Sequence, residues 1–261
     1  MLYASLMFMQ VAIQGYPASY HAIAATQFFA KNITLLSCDT FIAVFDALAS
    51  NQAEYAVIAT ENSLYGTINE VYDLLKYRNF WICGEIYLRI EHCLIGLPGS
   101  HINEIQEVYS HPVALAQCRN FLENTLKNAE IFEHHDTAKS VEEVKYWNQK
   151  HKAAVASKEA AELHGMQIIQ YNVEDNHQNY TRFFVLQQKR FDVHKANKTS
   201  LILQTPEDAK PGALYRALKV FAKNNINLTM LHSRPVIGKA WHRSEEHTSE
   251  LQSRGLISYA V

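Results

Sequence analysis

The sequence predicts an α/β protein: two lobes, each a sheet layered with helices, followed by a small separate domain. Three observations predict it. Strand-like and helix-like segments alternate over residues 10–59 in the order β-α-β-α-β, which requires crossovers and builds a doubly wound layer. Residues 54–59 (EYAVIA) are mostly apolar, as in a parallel sheet covered on both faces. The alternation starts again after residue 97, and a polar stretch at 189–198 separates a further β-α-β start from the rest.

Residues 10–14 (QVAIQ) read as a strand and Gly15-Tyr16-Pro17 as a turn. Ser19 reads as the N-cap of an apolar-periodic helix through Phe29. Residues 33–36 form a second strand, Thr40 caps a helix through Leu48, and 54–59 is the third strand. A helix follows near 68–76. Residues 80–83 and 86–95 read as two strands that carry the chain into the second lobe. There a strand near 107–109 precedes a helix at 112–122, and a strand near 129–132 precedes a helix at 137–147. Residues 153–156 form a buried strand before a helix at 158–164, and 166–171 another strand. Residues 180–186 are aromatic and β-branched, hence β-prone, and return to the first lobe. The expected lobes are about 10–86 with 175–190, and about 87–174. Beyond the linker, 199–203 is a strand, 212–223 a helix after Pro211, and 227–236 contains a strand.

The 261 residues are 48% hydrophobic and 19% charged, enough for a packed core. A formal net charge of -2 and the lack of any Lys/Arg block argue against a nucleic-acid surface. Cys38, Cys83, Cys93 and Cys118 are scattered and read as reduced thiols of a cytosolic protein. His134-His135 are adjacent and no H-E-x-x-H spacing occurs, so no metal site is expected. Residues 1–9 are apolar but lack a basic lead, the first lysine being Lys31, so no secretory signal is expected and the chain reads as cytoplasmic. Neither a dinucleotide fingerprint, a P-loop nor a G-x-S-x-G elbow is present.

Ligands of α/β sheets bind outside the carboxyl ends of the strands, which singles out the polar residues that follow each apolar run. Glu61, Asn62 and Ser63 follow the third strand. Ser110 and His111 follow the strand at Tyr109, with Gln117 further into the next helix. Thr137 and Ser157 open helices, where free N–H groups attract anions; plain N-capping is the alternative. The stretch Asn179-Tyr180-Thr181-Arg182-Phe183 offers an amide, a hydroxyl and a planar fork suited to a carboxylate. Thr181 and Arg182 point to opposite faces of a strand, so both serve one ligand only near a strand end or bend. An edge strand with ordinary polar residues is the other reading. Convergence of these groups on an interlobe cleft makes an anion site, suited to a dicarboxylate.

In this order, the clusters resemble the prephenate dehydratase family. The matching stretches are Ile13-Gln14-Gly15 through Ser19-Tyr20-His21, Glu61-Asn62-Ser63 with Gly66, Asp73-Leu74-Leu75, Gly84-Glu85, and Tyr109-Ser110-His111-Pro112 with Gln117-Cys118. Asp136-Thr137-Ala138, Ala153-Ala154 and Asn179-Tyr180-Thr181-Arg182-Phe183 complete them. Ala59-Thr60 departs from the usual proline-containing lead-in. The resemblance implies two lobes like a type II periplasmic binding protein, no metal or organic cofactor, and conversion of prephenate to phenylpyruvate, carbon dioxide and water. It makes Thr181, Arg182 and Glu61 the catalytic candidates, with Arg182 as carboxylate clamp and Thr181 as the contact to the departing hydroxyl. Asn62, Ser63, Ser110, Gln117, Thr137, Asn179 and Phe183 would line the site. A solute-binding protein of the same shape is the competing class, and it needs an export signal. A catalytically dead amino-acid sensor is a second, and the intact Thr181-Arg182-Phe183 stretch speaks against it.

Residues 197–242 resemble an incomplete ACT regulatory domain, of ferredoxin-like α+β fold. Gly212, Ala213 and Leu214 look like one half of its phenylalanine site and Ser233, Arg234 and Pro235 like the other, with His232 in place of the usual glutamate. L-phenylalanine is then the implied effector, and a homo-oligomer the implied assembly. Residues 243–261 resemble an in-frame translation of a sequencing adapter and are set aside from the fold.

Overall fold

The first two helices of the first lobe start where a hydroxyl can satisfy their orphan N–H groups. Ser19 Oγ accepts from Ala22 N at 3.4 Å and Thr40 Oγ1 from Ala43 N at 3.1 Å, so α1 (Tyr20–Phe29) and α2 (Phe41–Ala49) begin as expected. In the computed structural model these helices alternate with β1 (Met9–Gln14), β2 (Ile33–Cys38) and β3 (Tyr55–Asn62). The short β4 (Gly66–Thr67), α3 (Asn69–Tyr77) and β5 (Trp81–Arg89) follow. The structure describes residues 8–30, 32–190, 192, 196–203, 211–231, 234–235, 243–244 and 247–252. It divides into two units, Met1–Arg190 and Phe191–Val261. Expectations for residues 1–7, His232, Ser233, 253–261 and part of the linker lie outside the described residues.

The second lobe begins with β6 (Cys93–Gly96) and continues through β7 (Glu107–Ser110), α4 (Pro112–Gln117), α5 (Arg119–Thr125) and β8 (Glu130–Glu133). It ends with α6 (Thr137–Trp147), β9 (Lys152–Ala156), α7 (Lys158–His164) and β10 (Gln167–Gln170), in the sheet order β10-β6-β9-β7-β8. The chain then returns as β11 (Tyr180–Gln187), antiparallel between β3 and β5, and the first sheet reads β2-β1-β3-β11-β5. The two-lobed α/β class expected from the sequence is the one observed, with each sheet mixed rather than wholly parallel.

Both sheets are covered on both faces, which is why their strands read as apolar runs. In the first lobe Val11, Ile13, Val57, Phe183 and Val185 pack toward α1. Residues of the other parity, such as Ala12, Ile58 and Phe184, are equally buried on the opposite face, where α2 and α3 lie. Each large side chain sealed in this way contributes roughly 1.5–3 kcal/mol.

Two boundaries differ from expectation. β5 runs unbroken through Gly84-Glu85, so the chain leaves the first lobe at residues 90–92 rather than near 86. Gly84 belongs to the strand because a Cβ there would sit 2.5 Å from the Phe28 ring. The helix expected over 112–122 is two helices broken at Cys118, whose ψ of 17° leaves helical geometry. The crossovers are laced together: Ile90 N donates to Asn179 O at 2.8 Å, Val173 N to His92 O at 3.0 Å, and His92 N to the buried Glu174 carboxylate at 3.0 Å.

The second unit contains β12 (Lys198–Leu203), α8 (Ala213–Lys223), β13 (Asn227–Met230), β14 (Arg234–Pro235), β15 (Arg243–Ser244) and β16 (His247–Gln252). Gly212 caps α8 with φ +86°, a conformation that favours glycine. The sequence sets 243–261 aside from the fold; the described backbone places β16 antiparallel between β12 and β13. Among the described residues no helix is long and apolar enough to cross a membrane, and no group of His, Cys, Asp and Glu is placed to hold a metal.

Candidate active site

The pairing of β3 with β11 builds the core of the site. Thr181 faces Asn62 and Arg182 faces Glu61, after which the register slips so that Phe183 faces Ala59. Thr60 is the extra residue of this bulge, and its hydroxyl donates to Arg182 O at 3.1 Å. Asn62 is the hub. Its Oδ1 accepts from Leu64 N and Tyr65 N at 2.9 and 3.0 Å, which fixes the orientation of the amide. Its Nδ2 therefore donates, to Asn179 Oδ1 at 2.7 Å and to Thr181 Oγ1 at 3.0 Å.

This leaves two donors. Thr181 Oγ1 is already an acceptor, and no described group takes its proton. Asn179 must present oxygen to Asn62, so its Nδ2 is left buried with no partner among the described residues. A buried donor left unmade costs roughly 1–3 kcal/mol, and such a group is a candidate for ligand binding. Asn179 and Thr181 are two residues apart and share a side of the chain.

Arg182 does not join them. Its guanidinium lies over the Phe184 ring, 4.7 Å from the centroid, on the α3 side of the sheet. Nη1 lies 3.5 Å from Glu61 and Nε 3.3 Å from Glu85. Glu61 and Arg182 therefore pair with each other instead of meeting Thr181, because the bulge does not undo the strand's alternation. Phe183 is sealed in the α1-side core at 1% exposure and meets His21 edge-on, so it packs rather than lines a cleft. Ser63 also turns out to be a fastener: its hydroxyl donates to Gln178 O and accepts from Tyr180 N, both at 2.9 Å. Ser110 is fully buried and donates to Val155 O.

In the second lobe Gln117 closes α4, buried beside the crossovers. Asp175 N donates to its backbone carbonyl at 2.8 Å. Thr137 is the first residue of α6 and leaves its hydroxyl without a partner among the described residues, because Asp136 is the cap and accepts from Lys139 N at 2.8 Å. Burial raises the Asp136 carboxyl above its usual range. Gly15, with φ +93°, brings the β1–α1 turn against it; a Cβ would lie 2.7 Å from Asp136 Oδ2. Ser157 ties the lobes as well, capping α7 through Ala160 N and donating to Ala18 O at 2.8 Å. Of the phenylalanine-site candidates, Gly212, Ala213 and Leu214 stand at the start of α8, Arg234 and Pro235 form β14, and Ser233 lies outside the described residues.

Sequence reasoning assigned no role to Tyr20, His21, Glu85, His92, Asp136 or Glu174. Tyr20, His21, Glu85 and Asp136 fall within the stretches that carry the family resemblance, while His92 and Glu174 had no such signal. His21 Nε2 accepts from Ala59 N at 3.1 Å, and burial lowers its pKa from 6.5 to about 4. The unfolded chain therefore takes up this proton first. On this account stability is expected to decline by about 3 kcal/mol as pH falls from about 6.5 to about 4. Burial of His92 acts in the same direction, and the raised Asp136 carboxyl opposes it. His21→Gln keeps an acceptor for Ala59 N and is expected to flatten this decline. Urea unfolding at pH 7 and pH 4.5 measures it, and parallel declines for both proteins would show that His21 is not held neutral.

With the geometry in place, comparison with known proteins adds the following. A family model described as prephenate dehydratase matches residues 11–191. The chain is 37% identical over 226 residues to a bifunctional N-acyl-homoserine lactone acylase/prephenate dehydratase of Komagataeibacter europaeus, covering 85% of this chain and 79% of that protein. It is 38% identical over 229 residues to arogenate dehydratase 5, chloroplastic, of Arabidopsis thaliana, covering 87% of this chain and 54% of that one. The chain thus spans little more than half of some relatives. The crystal structure of the prephenate dehydratase from Staphylococcus aureus subsp. aureus Mu50 superposes with a TM-score of 0.79 at 30% identity, covering 94% of this chain and 90% of the other.

Proposed function

Because the chain belongs to the prephenate dehydratase family, we propose that its two-lobed unit converts prephenate to phenylpyruvate, carbon dioxide and water. The observation that carries the reading is the Thr181 hydroxyl, held as an acceptor by Asn62 so that its own proton is available to a departing oxygen. In the reaction the bond between ring and carboxylate breaks. Its electrons enter the ring as the carbon–oxygen bond breaks, and the hydroxide leaves as water by taking a proton that comes from solvent and is relayed by the Thr181 hydroxyl, which regains its own. The ring becomes aromatic, so the protein must orient a dianion, donate to the leaving oxygen and exclude water. Thr181 supplies the hydrogen bond, while Asn179 and Gln117 hold the substrate with their amides and Thr137 with its hydroxyl. In this reading the chain works in phenylalanine biosynthesis in the cytoplasm. The second unit is an incomplete ACT-like regulatory part; L-phenylalanine is the effector of the complete protein, and this chain answers to it poorly.

The test mixes purified protein with prephenate and follows phenylpyruvate by absorbance. Phenylpyruvate formation is the expected result. A well-folded protein that forms none, at any reasonable enzyme concentration, would sink the reading. Arogenate in a parallel arm, scored by phenylalanine formed, tests the substrate named for the Arabidopsis relative. Amide hydrolysis of an acyl-homoserine lactone needs an activated nucleophile. The hydroxyls of Ser63, Ser110 and Thr181 bond to main chain or to Asn62, none to a histidine, which favours the dehydratase reading.

A further inference from the structure

Gln117 does not stand alone at the hinge. Its Oε1 lies 2.7 Å from His92 Nε2, and His92 Nδ1 lies 2.8 Å from Tyr20 Oη. The three groups come from different places: Tyr20 from the first turn of α1, His92 from the outgoing crossover, Gln117 from the end of α4. The Tyr20 and His92 rings meet edge-on at 5.5 Å, and His92 is 1% exposed. Burial keeps both groups uncharged, raising the Tyr20 phenol well above its usual value and lowering His92.

A neutral imidazole carries one proton, and a carbonyl oxygen only accepts. With Gln117 Oε1 facing His92, that proton is on Nε2, and Nδ1 accepts from the Tyr20 hydroxyl. The amide nitrogen of Gln117 has no described partner and is not among the buried unpartnered atoms, so it opens toward solvent. In the reverse arrangement Tyr20 donates to Glu91 O, also 2.8 Å away, and His92 donates to Tyr20. That arrangement needs the Gln117 amide nitrogen against His92, whereas it is Oε1 that faces the ring.

We infer that Tyr20 and His92 are positioning residues that hold the Gln117 amide as a hydrogen-bond donor toward an anionic or hydroxyl oxygen of the substrate. This rests on the dehydratase reading for its substrate, but the proton arrangement does not. Two experiments test it on the full chain. In the first, nitrogen NMR of the ¹⁵N-histidine-labelled protein reads the His92 tautomer without any turnover. A protonated Nε2 and a bare Nδ1 are expected; the opposite tautomer overturns the inference, whatever the enzyme does with prephenate.

The second is a double-mutant cycle. Tyr20→Phe removes one hydroxyl and is expected to lower kcat/KM roughly tenfold when Gln117 is present. In the Gln117→Leu background the same change is expected to cost less than about twofold, since the amide it orients is gone. Equal losses in both backgrounds would make Tyr20 a merely structural residue and overturn the inference. A protein inactive from the outset fails the dehydratase reading alone, and the NMR result then decides the proton arrangement.

Discussion

Thr181→Ala is expected to lower kcat by roughly 10²–10³ while leaving KM within a few-fold. Removing one donor aimed at developing negative charge costs about 2.7–4 kcal/mol in the transition state. The ground-state hydroxyl of the substrate carries little charge, so binding suffers less. The argument depends on Asn62 Nδ2, which occupies the acceptor side of the Thr181 oxygen at 3.0 Å and leaves its proton for the ligand. Thr181→Ser keeps that arrangement and is expected to retain most of the rate. Steady-state kinetics on the three proteins decide it. An unchanged kcat in Thr181→Ala would return Thr181 to the role of an ordinary strand residue.

Arg182→Met is expected to destabilise the first unit by about 2–3 kcal/mol. Arg182 is 5% exposed and stands between Glu61 and Glu85. Its loss removes the guanidinium that both Glu61 and Glu85 approach. Breaking a fully buried pair costs about 3–5 kcal/mol; both carboxylates here are partly wet, which reduces the figure. Adding Glu85→Gln to Arg182→Met is expected to recover part of the loss by removing one of those two carboxylates. Urea unfolding at pH 7 measures both. Should Arg182→Met instead unfold like the parent and raise KM strongly, the carboxylate-clamp role suggested by its planar fork would be restored.

These results bear on how much the sequence could say. Local signals were enough for the alternating elements, because Ser19, Thr40 and Ser157 cap helices through bonds three residues away. They failed at Gly84-Glu85, which reads as a break by composition. The glycine answers to Phe28, 56 positions away in the chain, and Glu85 to Arg182 on a strand that returns after the whole second lobe. The opposite faces of Thr181 and Arg182 were legible from strand geometry alone. What was not legible was whether a bend would reunite them, since the bulge belongs to the partner strand β3. The role of Asn62 was hidden for the same reason: its four contacts combine a local turn with two residues 117 and 119 positions distant.

The position of β11 also orders events during synthesis. β6 through β10 form one uninterrupted stretch of chain whose core also takes in Val173, so the second lobe can close once residue 173 has left the ribosome. The first lobe cannot. Until Tyr180–Gln187 arrives, its sheet exists as β2-β1-β3 on one side and an orphan β5 on the other, with a strand-wide slot between them. The first lobe is thus completed only after the lobe that is inner to it in sequence has been synthesised. Thr181 reaches Asn62 only in the last step, when β11 fills the slot, so a nascent chain stalled before residue 180 carries a finished inner lobe and no chemistry.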